Sequence, residues 1–412
     1  MILYSAGNFL MRPWTFHSAG SLLFGSGSVS RLGQIAERLR VRRVFIVSDS
    51  VLESLGIVAQ VTAPLSAAGV AIEVFAGGVP EPPLAVVEAA VTAARPFQPD
   101  AVLGVGGGSN MDIAKLVAML LSHGGSATQY AGDSRVPGPV RPIICVPTTA
   151  GTGSEVSPAA VFTDTANQIK LSCLSPYLRP VAAVVDPELT LGCPAKVTAD
   201  SGIDALTHAI EAYTAVDNDE YQQRPGGPTV YQGKNLLADA IAAECITLVG
   251  KYLRRAVADG QDREAREGMA LAATLGGLAF SNAGVALVHA MEYPVGGAVH
   301  VSHGAGNGLL LPYVMRYNLS ARIRAFANIA VYLGAAGNLA ATDAELAAQA
   351  VTAVEELRAD IGIPNRLRDV GVTEAMLPSF AEKTFAIQRL LRVNPRVPES
   401  VAEVQAIFQS AF

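Results

Sequence analysis

The chain has 412 residues, half of them apolar, with only 16% charged and a net charge of -6. That much apolar material fills two or three domain cores and excludes a disordered chain. A mildly acidic sequence without a basic run excludes the electrostatic footprint of a nucleic-acid binder.

From the N-terminus, Met1–Pro13 lacks the basic and apolar regions of a secretory signal, and no later apolar run is long enough to span a bilayer. The expectation is a cytoplasmic protein with no membrane partner. Buried strands are expected at Arg43–Asp49, Val70–Phe75, Ala101–Val105, Ile143–Val146 and Ala182–Asp186. Helices are expected at Ser28–Leu39, Val51–Ala68, Leu84–Ala94 and Asn110–Ser122. This alternation predicts an α/β domain over residues 1–191, a parallel sheet with helices on both faces. After Leu191-Gly192-Cys193-Pro194 the strand signals stop. Segments at Gly202–Thr214, Asn235–Ala258, Glu264–Ser281, Leu309–Asn318, Ala321–Leu333, Asp343–Gly362 and Val401–Ala411 carry helical spacing, which predicts an all-helical domain over residues 192–412. Asp217–Gly233 reads as a polar loop between helices. Cys145, Cys173, Cys193 and Cys245 form no CxxC and read as reduced thiols.

Three constellations carry possible chemistry. Gly104–Asn110 ends a strand and opens a helix, so backbone amides there can approach a phosphate; a glycine-rich turn that binds nothing has the same look. Asp112 and Lys115 would ordinarily be a solvated first turn of that helix. Pro147–Glu155 clusters hydroxyls and glycines after another strand, which suits ribose or carboxamide binding or simply a capped loop. Both loops sit where open α/β sheets bind ligands, and Asp49, at a third strand end, suits ribose hydroxyls or a helix cap. In the second half, Asp204 and His208 share a helix face at i, i+4, while His289 and His303 follow in apolar surroundings. One Asp and three His are a donor set for a divalent transition metal, and the spacing leaves open whether they converge.

Together these segments resemble the iron-containing (group III) alcohol dehydrogenases. The matching motifs are GGGSNMDIAK at Gly106–Lys115, PTTAGTGSEV at Pro147–Val156, GIDALTHAIEAY at Gly202–Tyr213 and FSNAGVALVHAMEYPVGG at Phe280–Gly297, and the likeness runs from Trp14 to the C-terminus. The resemblance implies a dehydroquinate synthase-like pair of domains with the active site between them. It implies Fe²⁺, or Zn²⁺ in some members, on Asp204, His208, His289 and His303. It places the pyrophosphate of NAD on Gly107, Gly108 and Ser109 with Asp112 beside them. Thr148, Thr149 and Thr152 fall on the nicotinamide side, Lys170 near the ribose, and Asp49 where members favouring NAD over NADP carry an acid. Phe280 falls in the substrate pocket, for a small alcohol or aldehyde, and a homodimer is implied.

Two features depart from the family pattern. Tyr293 stands where many members carry a proton-relaying histidine. With an ordinary pKa of about 10 it is a poor carrier near neutral pH, which leaves His300 or the cofactor ribose as expected relays. The second is the Asp217–Gly233 loop, which many simple members lack; Pro228–Asn235, Gly250–Val257, Tyr293-Pro294 and Glu81-Pro82 look like the hydroxyacid–oxoacid transhydrogenase branch, whose substrates would need cationic groups, with Arg389, Arg392 and Arg396 as candidates. A dehydrogenase with exchangeable NAD is thus the first expectation. A transhydrogenase or a nicotinoprotein with retained cofactor is the alternative, and a metal-dependent lyase on the same fold or a non-catalytic nucleotide binder are remoter ones.

Overall fold

The computed structural model describes residues 13–165, 169–226, 229–337 and 341–412. Most of Met1–Pro13, and Gly227 and Pro228 of the polar loop, lie outside the described residues. Among the described residues, nine strands form two sheets: β1 (Leu22–Phe24), β2 (Arg43–Val47), β3 (Ala71–Phe75), β4 (Ala101–Gly106), β5 (Gly132–Asp133), β6 (Ile143–Pro147), β7 (Ala159–Asp164), β8 (Ile169–Leu174) and β9 (Ala182–Val185). The main sheet is parallel throughout, in the order β1-β9-β6-β4-β2-β3. Alternate residues of its central strands feed two apolar layers. Phe45, Val47 and Val102 face Leu84–Phe97 and Gly108–His123, while Val44, Ile46 and Leu103 face the helices Leu32–Arg38 and Ile57–Ala67. This is the expected sheet with helices on both faces. The chain changes direction across the sheet between β2 and β4, and the loops leaving β2, β4 and β6 meet at that switch point.

Local departures from the sequence reading have local causes. The helix expected over Val51–Ala68 breaks into Ser50–Ser54 and Ile57–Ala67, because Gly56 takes φ 75°. Ser28–Leu39 opens as a 3₁₀ turn, Ser28–Arg31. The reading missed the edge strand β1 and the antiparallel pair β7–β8, which is joined parallel to β5 in a small second sheet. Both are half-exposed, so their apolar signal is weak. It also gave no helix to Leu287–Val299, whose Pro294, Gly296 and Gly297 are helix-breaking residues.

From Ala195 onward the described residues hold helices and no sheet strand. The largest apolar core lies there, among the helices Ala195–Thr214, Leu236–Ala258, Arg263–Ala283, Leu287–Val299 and His303–Asn318. The described residues of Asp217–Gly233 are mostly irregular but include the short helix Asn218–Tyr221. The α/β and helical halves meet through glycine. A Cβ on Gly277 would lie 2.7 Å from Gly153 Cα, and one on Gly151 would lie 2.7 Å from Ser201 Cα. A buried hydrogen bond from Thr274 to Glu155, 3.0 Å, crosses the same seam.

One buried acid in the helical half gives a pH-dependent stability. Burial pushes Asp239 up to about 6, against the opposing pull of Lys234 at 2.9 Å. A carboxyl held above its unfolded value of 3.8 binds its proton more tightly when folded, so stability falls as pH rises from there to about 6. Asp239→Asn does not titrate. Its stability relative to the parent is expected to rise by about 2 kcal/mol between pH 4 and pH 7. Thermal unfolding at both pH values checks this, and an unchanged difference would contradict it.

Candidate active site and metal centre

The helix Ala195–Thr214 presents Asp204, His208 and Glu211 on one face, at i, i+4 and i+7. The helix Leu287–Val299 presents His289, Glu292 and Tyr293. His303 opens His303–Asn318, with Asn307 one turn further on. Ligand atoms of Asp204, His208 and His289 lie within 4.8 Å of one another. His303 Nε2 is 4.0 Å from Asp204 Oδ1, so the four residues converge. The His208 and His289 rings stack at 4.8 Å, and His303 meets His289 edge-on at 5.3 Å.

The donor set fits a divalent cation. Asp204, His208 and His289 are buried, and His208 Nδ1 is buried with no hydrogen-bond partner. The Asn307 amide nitrogen stands 2.8 Å from Asp204 Oδ1 and 3.2 Å from Nε2 of both His289 and His303, so three acceptors converge on one point. Burial raises the Asp204 carboxyl, but the three imidazoles outweigh it and hold the group below its usual range. Burial drives His208 down to about 3 despite Asp204. A carboxylate and a neutral imidazole are the forms that ligate.

The sequence reading missed the groups behind these ligands. Glu211 accepts from His289 Nδ1 at 2.6 Å and from the backbone amides of Ala286 and Val288. Glu292 accepts from His303 Nδ1 at 2.6 Å. Glu211 and Asn307 each lie one turn from a ligand on the same helix face, a signal present in the sequence.

A cavity of about 180 Å³ opens on this cluster. The α/β half contributes Gly108, Ser109, Asp112 and Thr152, and the hairpin β7–β8 adds Ala159, Val161 and Lys170. Asp204, His208, His289 and His303 face it, with Phe280 stacked on His208 at 4.3 Å. The helix Gly108–His123 has no side-chain cap, so its first amides remain available to an anion. Gly108 leaves no room for a side chain, because a Cβ would come within 2.8 Å of Thr152 Cγ2, whereas a Cβ on Gly107 would meet Thr149 Oγ1 at an ordinary 3.5 Å. Thr148 is buried, and its amide donates to Gly106. Asn110 ties the turn to Asp49 at 2.7 Å, and Asp49 also caps Ser50–Ser54 through the amides of Val51 and Leu52.

Several expectations need correction. His300 is the exposed, left-handed cap of Leu287–Val299, with φ 55°, and it does not line the cavity; a proton relay through it has no geometric support. Tyr293 lines the cavity 6.3 Å from the His303 ring, and burial raises its phenol further, against Arg389, so it keeps its proton near neutral pH. Asp112 and Lys115 are no solvated turn. Lys115 is fully buried and donates to the Ser154 and Ala159 carbonyls and to the Ser154 and Ser157 hydroxyls. Both Asp112 oxygens are taken, one by Ser154 Oγ and one by the Val161 amide. Lys170 is held between Glu81 and Glu292, at 2.6 and 3.3 Å. None of the three expected arginines lines the cavity. Arg389 donates to Ser172, Arg392 lies over Tyr221, and Arg396 lies over Tyr317.

An α/β nucleotide-type sheet, a helical half and an Asp–His₃ cluster in the cavity where they meet define a nucleotide-binding type of fold with a candidate metal centre. The comparisons with known proteins agree. The pattern of the iron-containing alcohol dehydrogenases matches residues 19–187, and that of the family's C-terminal domain matches residues 230–412. The chain belongs to the iron-containing alcohol dehydrogenase family and is an oxidoreductase of that kind. It is 40% identical over 392 residues to long-chain-alcohol dehydrogenase 1 of Geobacillus thermodenitrificans, covering 94% of each chain. A solved 1,3-propanediol oxidoreductase superposes with TM-score 0.90 at 36% identity, over 97% of this chain and 100% of that one. Sulfoacetaldehyde reductase from Bifidobacterium kashiwanohense, solved with NAD⁺, gives TM-score 0.81 at 28% identity, over 97% and 99%.

Proposed function

We propose that the protein interconverts a small alcohol and its aldehyde or ketone, using NAD(H) and one divalent metal ion, Fe²⁺ or Zn²⁺. The observation that carries this reading is that the Asp–His₃ cluster and the glycine turn at Gly108 line one cavity. Asp204, His208, His289 and His303 would hold the ion, which supplies Lewis-acid charge at the substrate oxygen. Gly107, Gly108 and Ser109 would hold the pyrophosphate, with Thr148, Thr149 and Thr152 toward the nicotinamide, whose ring carries the hydride. Asp49 would face the adenine-side ribose and disfavour NADP. Phe280, Tyr231, Val285 and Tyr293 form an apolar wall that orients a short substrate and excludes water. On the family pattern, the same reading includes a cytoplasmic homodimer.

Tyr231 sets the size of that substrate. It lines both the catalytic cavity and a second, polar cavity of about 540 Å³ whose walls include Ser134, Gln222 and Gln232. The expected result is NADH-linked reduction of short aldehydes by the metal-loaded protein. In Tyr231→Ala the two cavities join, and kcat/KM for hexanal relative to acetaldehyde rises by about 10-fold. Absence of NADH oxidation across the aldehyde panel would contradict the function. Unchanged chain-length preference in Tyr231→Ala would contradict the role of the tyrosine.

A further inference from the structure

We propose that Glu292, anchored by Lys170, is a positioning residue for His303, and that this ion pair governs how firmly the centre retains its metal. The inference rests on the metal-site reading above. Glu292 is fully buried inside the helical half, next to the ligand cluster. Its two oxygens have separate partners: Oε2 is 2.6 Å from His303 Nδ1, and Oε1 is 3.3 Å from Lys170 Nζ. An ionised carboxylate only accepts, so His303 must carry its proton on Nδ1. In the neutral imidazole this leaves the Nε2 lone pair, which faces Asp204 and Asn307, toward the cluster. That is the tautomer and the ring orientation a ligand needs.

A lone buried carboxylate would be costly, and Lys170 offsets that. Its side chain is 5% exposed and reaches across from β8, in the α/β half. Glu81 grips the same ammonium from the cleft side at 2.6 Å, and Glu81 itself sits at φ 52°, a region that side-chain-bearing residues rarely adopt. The helical half leaves room for this arrangement. A Cβ on Gly306 would lie 2.9 Å from Glu292 Cγ, and one on Gly296 would lie 2.9 Å from Lys170 Nζ. His289 provides the contrast. Its backing carboxylate, Glu211, is fixed by two backbone amides of the helical half alone. The carboxylate behind His303 is instead fixed by a side chain from the other half, so the hold on this ligand depends on contact across the cleft.

The test uses the full chain loaded with Zn²⁺ and no nucleotide. Loss of the ion to an excess of chelator is followed in the parent, Lys170→Met, Lys170→Arg, Glu292→Gln and Gly306→Ala, with the Tm of each metal-free protein alongside. Lys170→Met and Glu292→Gln are expected to lose zinc about 10–100-fold faster than the parent, and Lys170→Arg to recover most of the retention. Gly306→Ala displaces Glu292 without removing a charge, so it is expected to loosen zinc as well, which keeps the test open if a charge variant folds poorly. Parent-like retention in Lys170→Met and Gly306→Ala would overturn the inference. A parent chain that takes up no zinc would overturn the metal-site reading and this inference with it.

Discussion

Lys115→Met is expected to destabilise the folded chain by about 3–5 kcal/mol, the range for breaking a buried, hydrogen-bonded charge. The lysine is one of the largest fully buried side chains and satisfies two carbonyls and two hydroxyls. Methionine fills the volume but leaves the carbonyls of Ser154 and Ala159 without that donor. It also leaves Asp112 without the cation 3.9 Å away. Because Ser154 and Asp112 line the cavity, the loop after β6 loosens at the same time. A fall in Tm on the order of 10 °C is the expected readout. A variant as stable as the parent would show that water or a rearranged loop satisfies these groups, and the account of this loop would fail.

His208→Ala is expected to remove bound metal and to lower kcat/KM by on the order of 10³-fold. The histidine holds an unpartnered Nδ1 at the cluster and carries Phe280 on its ring, so truncation removes a donor and one support of the substrate wall. Asn at the same position keeps some volume without restoring the imidazole donor, and its kinetics should stay near those of the alanine variant. Metal analysis of the purified variants separates the two contributions. Full metal content together with the kinetic loss would assign the effect to the wall rather than to the ligand.

Much of this site was legible because its residues sit at helical spacing. Asp204 and His208 share a face by i, i+4 alone, and the glycine turn after β4 follows from a buried strand meeting a helix start. Convergence of His289 and His303 with that pair is a tertiary fact. The spacing left it open, and the resemblance to a family supplied it. His300 shows the opposite failure: it lies close to His303 in sequence, but a left-handed cap turns it to solvent. Lys115 was misread although the signal was present. It interrupts the apolar run Ile113-Ala114 and Leu116–Met119, where a solvated lysine has no place. Glu292 was hidden for another reason. A buried carboxylate is intelligible only once its partners are known, and Lys170 reaches it from the other half of the chain.

The most direct measurement is an anaerobic titration of the metal-free protein with Fe²⁺, following NADH oxidation with a short aldehyde at each step. The account predicts activity that rises in proportion to added iron and breaks at one ion per chain, with Zn²⁺ competing for the same site. Activity that is full without metal, or that stays absent after one ion per chain is bound, would contradict it.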